Sequence, residues 1–119
     1  MEVPILKQGK FLIATIQAAL RDADLLNLRN ALVQKVVISR SRGVIVDVTA
    51  MDVLDSFATR ALREIAFMTK LRGAKTVLVG VQPEVALTMV QLGLYLEGVA
   101  TALDLEEGLA YLDRLHHPR

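Results

Sequence analysis

The residues of this sequence best placed to do chemistry are a serine and the acidic residues near it. Ser56 directly follows Asp55, with Asp52 shortly before it, and Asp47 lies in an apolar run over residues 43–48. An acidic residue and a serine at the start of a helix have two interpretations. Either residue can cap the helix, which is worth ~1 kcal/mol, or the serine can accept a phosphate. Residue preferences alone favour the cap and leave phosphorylation open.

Motifs of hydrolases and nucleotide-binding enzymes are absent from the sequence. It contains neither G-x-x-x-x-G-K-[ST] nor G-x-G-x-x-G. Ser56 lacks a G-x-S-x-G elbow and a nearby histidine, so it is a poor hydrolase nucleophile. The two histidines, His116 and His117, lie in the last four residues, where we expect a frayed tail over 116–119 rather than ligands. The sequence therefore predicts a protein that is not an enzyme, with no catalytic residue, cofactor or metal site.

Asp47 lies where a response-regulator receiver would carry its phosphorylated aspartate, at the end of a central strand. That chemistry requires a magnesium ion held by further carboxylates. The two predicted strands before Asp47 end without an acidic pair. We therefore expect the Asp47 carboxylate to orient the loop that follows it.

Composition limits the class of protein. The 119 residues predict one domain over 1–119, and 53% hydrophobic with 4% aromatic residues suits helices packed on a β-branched sheet. The net charge is +1, and the basic residues are scattered. Arg40 and Arg42 form a small basic group beside a strand, which we interpret as a solvated loop. Without aromatic platforms beside basic residues, nucleic-acid binding is not expected. The absence of cysteine, of a signal peptide and of an apolar run of ~18 residues predicts a cytoplasmic protein that does not enter a membrane.

Hydrophobic periodicity predicts a hairpin of two strands followed by alternating helices and strands. The predicted strands cover residues 3–7, 11–16, 43–48, 76–79 and 99–103. The predicted helices run from 22 to about 39, from 56 to about 72, from 83 to about 93 and from 105 to about 115. This order predicts an α/β fold, a mixed sheet of about five strands with about four helices packed on it.

Apolar stripes predict which helix faces are buried. On the first helix a second stripe lies beside the first, so the apolar arc either completes the core, which we favour, or adds a partner surface. The two stripes are Leu25, Leu28, Leu32 and Val36, and Leu26, Val33 and Val37. The buried stripe predicted for the second helix is Ala58, Leu62, Ile65 and Thr69.

Other residues predict helix ends and contacts. Gly73 lies where a C-terminal cap glycine belongs, and Asp104 with Glu107 resembles a capping box before the last helix. Three large side chains of the second helix are possible interface residues, although burial against a neighbouring helix is as reasonable: Phe57, Phe67 and Met68.

Longer stretches of the sequence resemble the STAS domain family, and in particular its stressosome branch. The resemblance covers nearly the whole chain and is carried by residues 3–6, 44–48, 55–56, 72–75, 77–88, 92–93 and 101–109. Many anti-sigma factor antagonists of this family have a second small hydroxyl residue and a glycine after the serine, where this chain has Phe57-Ala58. That difference favours the stressosome branch.

The resemblance implies a STAS-like fold and a non-enzymatic scaffold that is a kinase substrate. Ser56 matches the main phosphoacceptor, surrounded by Asp47, Asp52 and Asp55, and Thr88 matches a second phosphorylated position or is simply a polar helix residue.

Such scaffolds form homo- or hetero-oligomers with an RsbR-type paralogue. They hold an RsbT-type switch kinase until it phosphorylates them, and an RsbX-type phosphatase resets them. Two alternatives stay open within the family: a direct anti-sigma factor antagonist, and a module that binds a nucleotide or another anion.

Overall fold

A computed structural model describes residues 2–117 and contains the predicted elements in the predicted order. The strands are β1 (Ile5–Gln8), β2 (Phe11–Thr15), β3 (Gly43–Asp47), β4 (Lys75–Val79) and β5 (Ala100–Ala102). The helices are α1 (Asp22–Ser39), α2 (Ser56–Leu71), α3 (Pro83–Gln91) and α4 (Leu105–His116). The α/β prediction is confirmed, and the ends of the elements lie within two residues of the expected positions.

The five strands form one sheet in the order β1-β2-β3-β4-β5. β1 and β2 form the predicted antiparallel hairpin, whereas β2 to β5 are parallel. The central strand β3 is buried from Gly43 to Val46, as expected for a strand covered on both faces. Because the last four strands share one direction, their carboxyl ends meet at one edge, and each of the four helices begins there.

Helices cover both faces of the sheet. α1 and α2 pack side by side over the larger core, which contains Val44, while α4 packs over a smaller core that contains Ile45 and Leu112. Successive residues of a strand point to opposite faces, so these two clusters lie on opposite sides of the sheet. An ion pair of 2.7 Å between Arg29 and Glu64 also joins α1 to α2.

The apolar face of α1 is covered along most of its length. All members of the first predicted stripe are buried: Leu25, Leu28, Leu32 and Val36. In the second stripe, Leu26 and Val33 are half-buried, whereas Val37 is 44% exposed and its neighbour Ile38 is 82% exposed. The core interpretation is confirmed for the first stripe, but the C-terminal end of α1 leaves apolar surface uncovered.

The buried face and the C-terminal end of α2 are also as predicted. The stripe of Ala58, Leu62, Ile65 and Thr69 is buried. The Thr69 hydroxyl donates to the Ile65 carbonyl at 2.7 Å and lies 2.7 Å from the Thr76 hydroxyl, so this buried polar group is satisfied. Gly73 follows the helix with a φ of 86°, the left-handed conformation of a cap glycine.

The start of α4 forms only part of the predicted capping box. The Asp104 carboxylate accepts a hydrogen bond from the Glu107 N–H at 2.9 Å, as expected of an N-cap. The Glu107 carboxylate accepts from the N–H of Leu103 at 3.3 Å and not from that of Asp104. Asp104 therefore caps the helix, while the reciprocal bond is shifted by one residue.

The expectation of a frayed tail is wrong for the described part of that tail. His116 is the last residue of α4, and its ring lies 5.9 Å from the ring of Phe11. The His116 Nε2 lies 3.0 Å from the carbonyl oxygen of Arg42, and the N–H of His117 still donates to a carbonyl of the last turn at 2.9 Å. These contacts hold the end of α4 against the sheet. The remaining residues of the tail, 118–119, lie outside the described part of the chain.

The packing of α1 gives a direct test of the core. Leu32 is fully buried, so Leu32→Ala leaves a cavity and should lower the free energy of unfolding by about 2–5 kcal/mol. The matched control is Ile38→Ala on the same helix. Because Ile38 is exposed, this variant should change the free energy of unfolding by less than about 0.5 kcal/mol. Urea denaturation measures both variants, and equal losses would contradict the burial described for α1.

Candidate phosphorylation site

The loop between β3 and α2 lies at the carboxyl edge of the sheet. Met51 and Leu54 are buried and anchor the loop in the core, and the Met51 N–H donates to the Val48 carbonyl at 2.9 Å. Asp52 and Val53, between the two anchors, are exposed. The loop is therefore fixed from beneath while its acidic residue faces solvent.

Asp55 is the residue that caps α2. Its carboxylate accepts from the Ala58 N–H at 2.8 Å, and its carbonyl accepts from both the N–H and the hydroxyl of Thr59, at 2.9 and 2.8 Å. Ser56 is the first residue of the helix and is exposed, and its hydroxyl takes part in no hydrogen bond within residues 2–117. The capping interpretation is confirmed for Asp55, and the Ser56 hydroxyl is left available to a second protein.

The Asp47 carboxylate orients the start of the loop, as predicted. It accepts from the Thr49 N–H at 2.9 Å and from the Thr49 hydroxyl at 2.6 Å. The loop is pressed against the end of β4, because a Cβ atom added to Gly80 would lie 2.0 Å from the Thr49 hydroxyl oxygen. Gly80 also has a φ of 80°, a left-handed backbone conformation that favours glycine. Both the short distance to Thr49 and this conformation therefore require glycine at position 80.

Gln82, just before α3, ties the two loops together. Its side-chain NH2 donates to the Thr49 carbonyl at 2.7 Å and more weakly to the Asp52 carboxylate at 3.4 Å. Sequence reasoning gave neither Gly80 nor Gln82 a structural role at this site. The position of Gly80 directly after a buried strand could have indicated the contact with the Thr49 loop, because a glycine there often marks the close approach of another backbone.

Charged side chains of both signs lie near Ser56. Asp52 and Asp55 are exposed, and Arg60 is exposed one helical turn after the serine. Side chains four residues apart on a helix are neighbours. Within the described chain the Arg60 guanidinium forms no ion pair or hydrogen bond, so it is available to an anion at Ser56.

Thr88 lies apart from this hydrogen-bonded loop. It is an exposed residue of α3, and its hydroxyl donates to the Glu84 carbonyl one turn earlier at 2.9 Å. Its hydroxyl is therefore already engaged within its own helix, unlike that of Ser56.

The three possible interface residues have different surroundings. Phe57 is half-buried and packs against the larger core. Phe67 is 62% exposed, and together with the half-buried Met68 it borders an open groove of about 690 Å³ on α2. Ser56, Arg60 and Phe67 are four and seven residues apart, so they share the outward face of α2.

Residues 2–117 contain neither a metal-binding cluster nor a helix that could span a membrane. No group of three or more His, Asp or Glu side chains is arranged to hold a metal ion. No helix in this part of the chain is long and apolar enough to cross a membrane.

The cap assignment makes a prediction about stability. Asp55→Ala removes the acceptor of the Ala58 N–H and should lower the free energy of unfolding by about 0.5–2 kcal/mol. Ser56→Ala removes a hydroxyl that has no hydrogen-bond partner in the described chain. This variant should change the free energy of unfolding by less than about 0.5 kcal/mol. Thermal denaturation distinguishes them, with Asp55→Asn as the control that keeps a capping oxygen. A larger loss for Ser56→Ala than for Asp55→Ala would show that the cap is misassigned.

Comparison with known proteins identifies the family to which this chain belongs. Residues 2–108 match the STAS domain family. A curated relative, the RsbT co-antagonist protein RsbRA of Bacillus subtilis, is 33% identical over 98 residues, which is 82% of this chain. The match spans only 34% of the length of that relative.

Two solved structures share both sequence and fold with the chain. A serine-to-glutamate variant of RsbS from Moorella thermoacetica is 36% identical with a TM-score of 0.83, and 97% of each chain is covered. A chain from the molecular architecture of the stressosome, described as a signal integration and transduction hub, is 34% identical with a TM-score of 0.76. That match covers 95% of this chain and 98% of the other. The chain therefore belongs to the STAS domain family, in its stressosome branch.

Proposed function

We propose that this chain is a non-enzymatic, cytoplasmic scaffold subunit of a stressosome, which sequesters an RsbT-type switch kinase and releases it when Ser56 is phosphorylated. The observation that carries the proposal is the free, exposed hydroxyl of Ser56 at the first position of α2, next to a cap supplied by Asp55. In this scheme an RsbR-type paralogue co-assembles with the chain, and an RsbX-type phosphatase removes the phosphate.

The compared proteins support this scheme in three ways. The curated relative is described as an RsbT co-antagonist, which fits a partnership with a kinase of that type. A chain of the stressosome itself has the same fold at 34% identity. The RsbS structure carries glutamate in place of a serine, a substitution that puts negative charge where a hydroxyl was.

Phosphorylation of Ser56 should leave the fold unchanged. The phosphate adds a charge of about −1.5 to −2, and the dipole of α2 favours an anion at its first turn by ~0.3–1 kcal/mol. The exposed carboxylates of Asp52 and Asp55 oppose it by repulsion, so these small terms partly cancel. Because Asp55 provides the cap, no hydrogen bond of the helix start depends on the Ser56 hydroxyl.

The phosphate therefore acts at the surface of α2. In a docked interface, a charge left without a partner costs ~3–5 kcal/mol. Since ~1.4 kcal/mol corresponds to tenfold in affinity, this weakens binding by roughly a hundredfold or more. A loss of this size is enough to release a bound kinase.

A binding experiment tests the proposal. Ser56→Asp should bind an RsbT-type kinase at least about a hundredfold more weakly than wild type, while Ser56→Ala keeps its affinity. Thr101→Asp is the matched control, since it adds the same charge at an exposed hydroxyl outside α2, on the strand β5. Calorimetric titration gives the affinities, and circular dichroism checks the fold. Tight kinase binding by both Ser56→Asp and the protein phosphorylated on Ser56 would overturn the proposal.

In the phosphorylated protein free of kinase, the exposed Arg60 should be the partner of the phosphate. A nearby cation favours the doubly charged phosphate, so it lowers the pH at which the second proton leaves. An exposed pair worth ~0.3–1 kcal/mol lowers that midpoint by about 0.2–0.7 pH units. Phosphorus NMR titration of the phosphorylated protein should therefore show a higher midpoint in Arg60→Gln than with Arg60 intact. Lys70→Gln, an exposed cation at the far end of α2, serves as the control, and equal midpoints in all three proteins would contradict the pairing.

A further inference from the structure

The exposed part of the β3–α2 loop is held by a side chain from a distant part of the chain. Residues 49–53, which we call the outer turn, are exposed except for Met51. The buried anchors Met51 and Leu54 do not hydrogen-bond to these exposed residues. Within the described chain, Gln82 is the only side chain outside the loop that donates a hydrogen bond to the outer turn. Apart from Asp47 at the end of β3, Gln82 is therefore the only side chain that bonds the outer turn to the rest of the domain.

The Gln82 side chain is a hydrogen-bond donor placed between two acceptors. Its Nε2 atom lies 2.7 Å from the Thr49 carbonyl oxygen and 3.4 Å from a carboxylate oxygen of Asp52. A side-chain amide nitrogen carries two N–H groups, one for each oxygen. Both oxygens are negative, so an acceptor in place of this nitrogen would be repelled. The contact therefore requires a donor at position 82.

The backbone around Gln82 fixes the direction of its side chain. Gln82 precedes Pro83, and a residue before proline is restricted to extended conformations, which the φ of −65° and ψ of 147° of Gln82 match. Gly80 lies directly against the Thr49 side chain, and Val85 in the first turn of α3 is buried in the larger core. Gln82 is therefore half-buried in a well-defined segment, and its amide is directed at the outer turn.

The helix α3 does not need the Gln82 side chain. Gln82 is the N-cap residue of α3, yet its side chain forms no capping hydrogen bond. Pro83, at the start of the helix, has no N–H group that requires an acceptor. The Ala86 N–H donates to the Gln82 carbonyl at 2.9 Å, a backbone bond that does not involve the side chain. The amide of Gln82 therefore serves the outer turn and not its own helix.

The outer turn borders the Ser56 hydroxyl. Its exposed residues Asp52 and Val53 precede Ser56 by four and three residues. A kinase whose active site encloses the Ser56 hydroxyl also covers these nearest exposed neighbours. Binding a loop that is already ordered costs less conformational entropy than binding one that becomes ordered in the complex. A hydrogen bond that orders the outer turn beforehand therefore favours binding of the kinase.

We infer that Gln82 is a positioning residue for the phosphorylation of Ser56, because its side-chain amide holds the outer turn in the conformation that the kinase binds. The inference rests on the function proposed above and adds a residue to that same site. Ser56 itself is fixed by α2 and by the Asp55 cap. Loss of the Gln82 amide should therefore raise the KM of the kinase for this chain and leave kcat nearly unchanged.

Steady-state phosphorylation by an RsbT-type kinase tests the inference. Gln82→Met keeps the length and neutrality of the side chain but removes both N–H groups. The KM for this variant should rise about three- to tenfold, the range expected for losing one or two hydrogen bonds, while kcat stays within about twofold. Gln82→Lys, whose ammonium group can donate to both oxygens, should restore KM to within about twofold of the wild-type value. Ser56→Ala should accept no phosphate.

The matched control is Gln91→Met, the same substitution at an exposed glutamine at the end of α3, which should leave KM unchanged. The contact itself is measured without kinase by NMR relaxation of the amide nitrogens in the intact chain. Order parameters in the outer turn should fall in Gln82→Met and should match wild type in Gln82→Lys and Gln91→Met. The amide of Ile65, on the buried face of α2, should be unchanged in every variant, which shows that the fold is retained.

The possible results separate this inference from the function on which it rests. Absence of phosphate from Ser56 in wild type would overturn the proposed function and the inference with it. Phosphorylation of wild type together with an unchanged KM for Gln82→Met would overturn the inference alone. The inference alone also fails if kcat falls while KM stays the same, if Gln82→Lys does not restore KM, or if the outer turn is equally ordered in wild type and Gln82→Met.

Discussion

The parallel pairing of β2, β3 and β4 is the constraint on which the rest of the structure depends. The register pairs Phe11 with Gly43 and Gly43 with Lys75, so three strands end together and the helices that follow them start at one edge. This places the β3–α2 loop beside the end of β4, where Gly80 leaves room for Thr49. The same register places the loops before β3 and β4 side by side at the opposite edge. The geometry of the candidate phosphorylation site follows from this arrangement.

At the start of α2, the capping residue and the proposed phosphoacceptor are adjacent. Asp55 satisfies the helix start, so the next residue can carry a phosphate without disturbing a hydrogen bond. Met51 and Leu54 are buried and anchor the loop before Ser56, so we expect the loop to stay in place when Ser56 is phosphorylated. In the function proposed above, the phosphate changes the charge of the surface and not the fold, which suits a scaffold that stays assembled while it releases a kinase.

The sequence predicted what depends on local pattern and missed what depends on strand register. The buried stripes of α1 and α2 and the cap glycine Gly73 follow from helical periodicity and backbone preference, and all were confirmed. The capping residue could not be chosen from sequence, because aspartate and serine are equally good N-caps. The anchoring of His116 on the Arg42 carbonyl and the joining of loops by Gln82 are contacts between distant parts of the chain, which periodicity does not report.

In the proposed mechanism, phosphate on Ser56 changes the surface of α2 and not its fold. Amide hydrogen exchange of the unphosphorylated and the Ser56-phosphorylated protein tests it most directly. We expect equal protection from Ala58 to Leu71 in the two forms, with differences confined to the amides around Ser56 itself. Loss of protection through the first turns of α2, or in the β3–α2 loop that Met51 and Leu54 anchor, would show instead that phosphorylation unfolds the start of the helix.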